Sequence, residues 1–204
     1  MKNSNNPHYN GLARSIHWIS ALIIVGLFAL GTWMVDLSYY SEWYRTAPHW
    51  HKSVGLLLGG LTLFRLIWKV LSSSPKIEGA RWEIVTAKSA HHLMYVGLFV
   101  LFVSGYLIST EDGRGIEVFD WFTVPGAGAL FENQADVAGE IHFYTAWGLI
   151  TIAVLHALAA LKHHFINRDN TLRKMLTGAS KIEKNTNGSG SCCSHVHSVY
   201  SECC

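Results

Sequence analysis

Charge is scarce in this chain. Asp, Glu, Lys and Arg make up 15% of 204 residues, while half of the residues are hydrophobic. The net charge is only +2. That balance gives no basic footprint for nucleic acid. Cysteine is absent until Cys192, and the four cysteines, Cys192, Cys193, Cys203 and Cys204, crowd the last residues. The long apolar stretches lack the alternation of a half-buried strand. Residues 1–15 are polar, and the first apolar run lacks a small-residue cleavage site, so that run is expected to be retained rather than removed as a leader. Neither an internal repeat nor a second soluble domain is visible.

Four apolar runs remain: residues 16–35, 54–70, 93–108 and 145–161. Each approaches the ~20 residues that carry a helix across a bilayer core. The expected fold is all-α, a four-helix transmembrane bundle. Its expected extent is residues 11–175, followed by a tail, 176–204. That tail is rich in Ser, Gly and Asn and is expected to be disordered. Its ending, SCCSHVHSVYSECC, offers a soft-metal ligand set around His195 and His197 in no standard zinc spacing.

Basic residues sort by loop. Lys2 and Arg14 precede the first run, and Lys69, Lys76, Arg81 and Lys88 lie at the end of the second run and in the loop after it. Lys162, Arg168, Arg173, Lys174, Lys181 and Lys184 follow the fourth. The other two loops hold only Arg45, Lys52 and Arg114. By the positive-inside rule both termini are cytoplasmic. The third loop is acidic, with Glu111, Asp112, Glu117, Asp120, Glu132, Asp136 and Glu140.

The chain also has twelve histidines, several inside or beside apolar runs. An imidazole in hydrocarbon is costly without a partner and marks a functional candidate. His142 and His156 are 14 residues apart on the fourth helix, nearly four turns, so they share a face roughly 21 Å apart. One small ion cannot touch both, but two separate sites can. His17, in RSIHW, matches the depth of His156. His51, in PHWHKSVG, matches that of His142. His49 competes with His51, which is preferred because it opens the apolar run. Two depth-matched pairs on opposing helices suit two flat macrocycles, each with a histidine on either face. Small residues beside them, Gly55, Gly59, Gly60, Ala157, Ala159 and Ala160, leave room for a ring or a close helix. No CxxCH is present, so the expected cofactors are two noncovalent haems b. A metal-ion transporter would need a polar path, and LITIAV and LLLGGLTLF offer none.

Secondary candidates surround the inner pair. Arg65 either snorkels to the interface or pairs with a haem propionate. Lys52 is the corresponding cation at the outer end. His91 and His92 open the third helix: His92 is a candidate for a propionate or quinone, and His91 is surplus to ligation. His163, about 10 Å beyond His156 on the same face, is a candidate quinone contact or a basic anchor. The tryptophans near span ends are expected to be interfacial belt anchors.

The motifs SIHW, HWHKSVG, AHHLMYVGLF, GYLIST, IHFYTAW and LHALAALKHHFINRDNTLRKM, from about Gly11 to Met175, resemble the bacterial cytochrome b561 family. The resemblance implies four helices and two haems b, with His17 and His156 at the inner haem and His51 and His142 at the outer. It implies electron transfer across the inner membrane between a periplasmic partner and the quinone pool. That family includes a superoxide oxidase that passes electrons from superoxide to ubiquinone. An acidic entrance repels an anion, so the third loop points to the electron-carrier branch and a basic redox protein. The haem-bearing anchor of a larger dehydrogenase is a further alternative.

Overall fold

The computed structural model describes residues 11–71 and 81–166, with Leu172 and Met175 beyond them. Four helices dominate: α1 (Gly11–Val35), α2 (Trp43–Leu71), α3 (Arg81–Thr110) and α4 (Gln134–Phe165). Each contains one of the apolar runs and extends past it. At about 1.5 Å per residue all four exceed the ~30 Å hydrocarbon core. By length and composition α1, α3 and α4 are apolar enough to cross a bilayer. α2 is more polar because it carries Arg45, Lys52, Arg65 and Lys69. It begins eleven residues before the apolar run, so Pro48 and His49 sit inside the helix rather than in the preceding loop. Pro48 lacks an N–H, which removes one rung near the start of the helix.

Exposure follows the membrane rather than water. Leu22 (73%), Leu63 (61%), Phe99 (67%) and Leu155 (61%) face outward. Apolar surface on that scale suits lipid and is untenable in water. The interior is built from smaller contacts, including Ile16, Ala47, Leu58, Leu98, Ala138 and Leu149. Buried hydroxyls bond their own helix: Thr62 donates to the Leu58 carbonyl at 2.8 Å, and Thr110 to that of Tyr106 at 2.9 Å. A hydroxyl bonded in this way is not left open in an apolar medium.

Packing divides the bundle into two halves. α3 lies closely along α4 and α1 along α2, while contacts between the halves are sparse. This leaves a slot between two helix pairs.

The third loop holds a hairpin that the sequence pattern did not announce. β1 (Ile116–Val118) pairs antiparallel with β2 (Phe122–Val124), with Ile116 opposite Val124 and Val118 opposite Phe122. At its tip Phe119 (φ 45°) and Asp120 (φ 60°) are left-handed, and the Trp121 N–H donates to the Val118 carbonyl at 2.9 Å. A bulky residue is costly there. Phe119 is held by packing on Trp50 (5.0 Å between ring centroids) and His49 (6.1 Å). Fully buried Ser53 latches the hairpin to α2: its Oγ receives the Phe119 N–H and donates to the Glu117 carbonyl, both at 3.3 Å.

Asn133 offers no side-chain cap to α4. Instead the Glu111 carboxylate, just past the end of α3, accepts the Ala135 N–H at 3.2 Å. A carboxylate suits the positive end of a helix. Buried Gln134 completes the junction, accepting from Leu130 N–H (2.8 Å) and donating to the carbonyls of Leu107 (2.9 Å) and Gly128 (3.3 Å).

Candidate functional site

The histidines gather at two levels, one near the hairpin and one near the α1 N-terminus. At the hairpin end, His51 of α2 faces His142 of α4, with ring centroids 6.2 Å apart and planes at 67°. These helices belong to different halves, so the pair spans the slot. Glycines make room on both sides. A Cβ on Gly31 would come within 3.1 Å of His51 Cε1, and one on Gly105 within 3.2 Å of His142 Cε1. Ser104 Oγ lies 3.0 Å from His142 Nδ1. His51 Nδ1 is buried with no hydrogen-bond partner among the described residues. An unpaired buried imidazole nitrogen in an apolar bundle calls for a ligand or a proton acceptor. Lys52, next to His51, lies within electrostatic reach of Asp112.

At the other end, Arg65 donates from Nη2 to His17 Nδ1 at 2.9 Å. A guanidinium has no acceptor, so His17 Nδ1 carries no proton in this arrangement. His17, His91 and His156 lie within electrostatic reach of one another. The His91 and His156 rings touch, with centroids 5.0 Å apart. His17 and His156 come from different halves, whereas His91 and His156 share the α3–α4 half.

His92 lies apart from this cluster. Its Nδ1 donates to the Lys88 carbonyl at 2.8 Å, and its ring lines an open cleft of about 640 Å³ with Leu66, Ile67, Lys69, Leu71, Tyr95 and Val96. The residue whose ring meets His156 is its neighbour His91. A sequence signal for this existed. His91 is seven and fourteen residues before Leu98 and Gly105, both turned into the bundle. His92 is seven before exposed Phe99. Residues seven apart share a helix face. By the same rule His142, Leu149, His156 and His163 form one stripe on α4.

His163 continues that stripe and meets a residue the sequence had not singled out. Its Nε2 lies 4.0 Å from Glu83 Oε1 at the start of α3, with both side chains largely shielded. Tyr95 receives two cations on its ring: the Arg65 guanidinium at 5.9 Å and Lys69 Nζ at 5.3 Å. At the hairpin end, Arg114 is the third loop's one cation. It is occupied by Asp112, through Nε at 2.7 Å and Nη2 at 2.6 Å, which lowers the carboxyl's pKa. The loop's other carboxylates are left without a basic residue of the same loop. The Cys-containing tail lies outside the described residues.

The donor set fits haem. Among the described residues no three or more His, Cys, Asp or Glu side chains gather to cage an ion. His51 and His142 meet as a pair across the slot, which suits a metal whose remaining ligands come from a planar ring. A metal bound by one nitrogen of each ring at about 2 Å puts imidazole centres roughly 6 Å apart, close to the 6.2 Å between His51 and His142.

Comparison with known proteins bears on the same residues. The prokaryotic cytochrome b561 family matches residues 8–178. Over 183 residues the chain is 45% identical to the protein named cytochrome b561 homolog 2 of Escherichia coli (strain K12), covering 88% of this chain and 97% of that one. It is 26% identical to cytochrome b561 homolog 1 of the same organism over 163 residues, 79% of this chain and 92% of that one. It is also 26% identical to a probable superoxide oxidase, CybB, of Yersinia pestis over 174 residues, 82% and 95% of the two chains. A helical membrane bundle with paired histidines across a slot, matched over most of its length, belongs to the prokaryotic cytochrome b561 family: membrane electron-transfer proteins that bind b-type haem.

Proposed function

We propose that this chain carries electrons across the bacterial inner membrane on two haems b, between a periplasmic redox protein and the quinone pool. Both termini are cytoplasmic in this reading, so the hairpin end is outer and the α1 N-terminal end is inner. His51 and His142 hold the outer haem, and His17 and His156 the inner one. A haem with an imidazole on each face supplies one-electron chemistry with no open position for oxygen. The observation that supports this reading most directly is the His51–His142 pair, meeting across the slot at 6.2 Å between glycines on two other helices.

The surrounding side chains have separate tasks. Arg65 supplies a cation at the inner level for a propionate. Leu58 and Leu149, both buried, help keep water out of the interior. His163, with Glu83 4.0 Å away, is placed to exchange a proton with a quinone at the inner interface. His92 lines the lipid-accessible cleft at the same end with Lys69 and Tyr95. At the outer end the acidic loop favours a basic redox protein, whose approach it accelerates by electrostatic steering.

The test is spectroscopic. Purified protein should show a b-type reduced-minus-oxidised spectrum and two haems per chain. His142→Ala should lose the outer haem alone and His156→Ala the inner one alone. Retention of both haems by either variant would overturn the ligand pairs. A second reading, superoxide oxidation coupled to ubiquinone, has the likeness to the Yersinia pestis protein in its favour. Proteoliposomes supplied with external superoxide and internal quinone decide it: turnover supports oxidation of superoxide, and none supports the protein-partner reading. Purification with soluble subunits would instead favour the anchor of a larger dehydrogenase.

A further inference from the structure

α3 supplies no ligand in the proposed reading, yet its Ser104 touches one. Ser104 is buried at 3% exposure, and its Oγ has three polar neighbours. These are the Val100 carbonyl at 2.7 Å, the Leu101 carbonyl at 3.3 Å and His142 Nδ1 at 3.0 Å. A hydroxyl has one proton and two lone pairs. The carbonyls can only accept, and the shortest of the three contacts is to Val100. The Ser104 proton therefore goes to the helix carbonyl, and the oxygen is left to accept. His142 Nδ1 must then be the donor. That contact selects one neutral tautomer, with hydrogen on Nδ1 and the lone pair on Nε2.

The adjacent residue fits the same seat. A Cβ at Gly105 would lie 3.2 Å from His142 Cε1 and 3.5 Å from Nδ1, tighter than ordinary contact. Consecutive residues of α3 thus admit the ring and hold its proton.

We propose that Ser104 is a positioning residue for the outer haem: its hydroxyl, at 3.0 Å, fixes the tautomer and orientation of His142 and so tunes that haem's potential. This rests on the assignment of His142 as a ligand. An Nδ1–H that is hydrogen-bonded makes the opposite nitrogen a better electron donor, which favours ferric iron and lowers the potential. A purely structural role, back-bonding to Val100 or close helix packing, predicts no change in one haem relative to the other.

The experiment is a potentiometric titration of the intact protein carrying both haems, comparing wild type with Ser104→Ala and Ser104→Thr. Alanine preserves helix and size but removes the acceptor, whereas threonine restores a hydroxyl. The expected result is an upward shift of the outer potential in the alanine variant, with the inner potential unmoved and threonine near wild type. Loss of the outer haem in alanine with recovery in threonine counts equally in favour. Two unchanged potentials overturn the proposal, as does loss of the outer haem in both variants, since size and not the hydroxyl then decides. If wild-type protein binds no haem, or His142→Ala keeps both haems, the ligand assignment itself has failed.

Discussion

Arg65 of α2 hydrogen-bonds His17 of α1, Nη2 to Nδ1 at 2.9 Å, and so places a permanent charge against an imidazole inside the bundle. The contact joins the two helices of one half, and with it the His17 end of the bundle gains a cation of fixed sign. Replacing Arg65 by Gln should lower the potential of the inner haem, because a nearby cation disfavours the ferric form. The size is about 2 kcal/mol for a unit charge roughly 7–8 Å away at an effective dielectric near 20. Redox titration with the two haems resolved would show it, and an equal shift of both would remove Arg65 from the inner site.

Gly31 and Gly105 should resist even one added methyl group. A Cβ at Gly31 meets His51 Cε1 at 3.1 Å, and the imidazole is itself held by the slot. Gly31→Ala should weaken the outer site by roughly 1–3 kcal/mol, the usual cost of overpacking. Thermal bleaching of the outer haem reads this, with Gly26→Ala as control, since a Cβ there meets nothing within 4 Å. Equal bleaching temperatures for both variants would mean that the seat is looser than its geometry.

Ser53 latches the hairpin to α2. Ser53→Ala leaves the Phe119 N–H and the Glu117 carbonyl without their side-chain partner, at about 1–3 kcal/mol. Faster hydrogen exchange over residues 116–124, with the inner haem spectrum unchanged, is the expected result. Unaltered exchange would show that the hairpin holds on through Phe119 and Trp50 alone.

His163 and Glu83 should matter to quinone but not to haem content. His163→Ala is expected to keep both haems and to slow quinone reaction in proteoliposomes at least tenfold. Glu83→Gln should slow it less. Full activity in both variants would return His163 to the role of a basic anchor.

Reversing charge at the hairpin tip tests the partner. Glu117→Lys with Asp120→Lys should slow reaction with a basic cytochrome and weaken its ionic-strength dependence, since steering acts through exposed charges. If the rate rises instead, the true partner is anionic.

The helices and their histidine levels were legible in advance because both rest on local rules. A run of apolar residues in a bilayer has to close its own backbone hydrogen bonds, and a 14-residue spacing returns to nearly the same face. His51 and His142 could be matched by depth from spacing alone, and the structure brings them together. The choice between His91 and His92 was less open to that reasoning. One residue turns a helix by about 100°, so it depends on which face α3 lends to α4.

The sequence by itself determined the number of long helices, their apolar reach and the two levels at which imidazoles occur, since each follows from composition and helical period along one chain. Tertiary structure alone decided the rest. Helices pair off into halves, His91 rather than His92 turns toward His156, Ser104 reaches His142, Glu83 meets His163, and an acidic loop folds into a hairpin latched by Ser53. Those contacts join residues 38 or more positions apart, except for the hairpin's own pairing. They depend on how helix faces and loop backbones meet in space, and no period along a single segment encodes that.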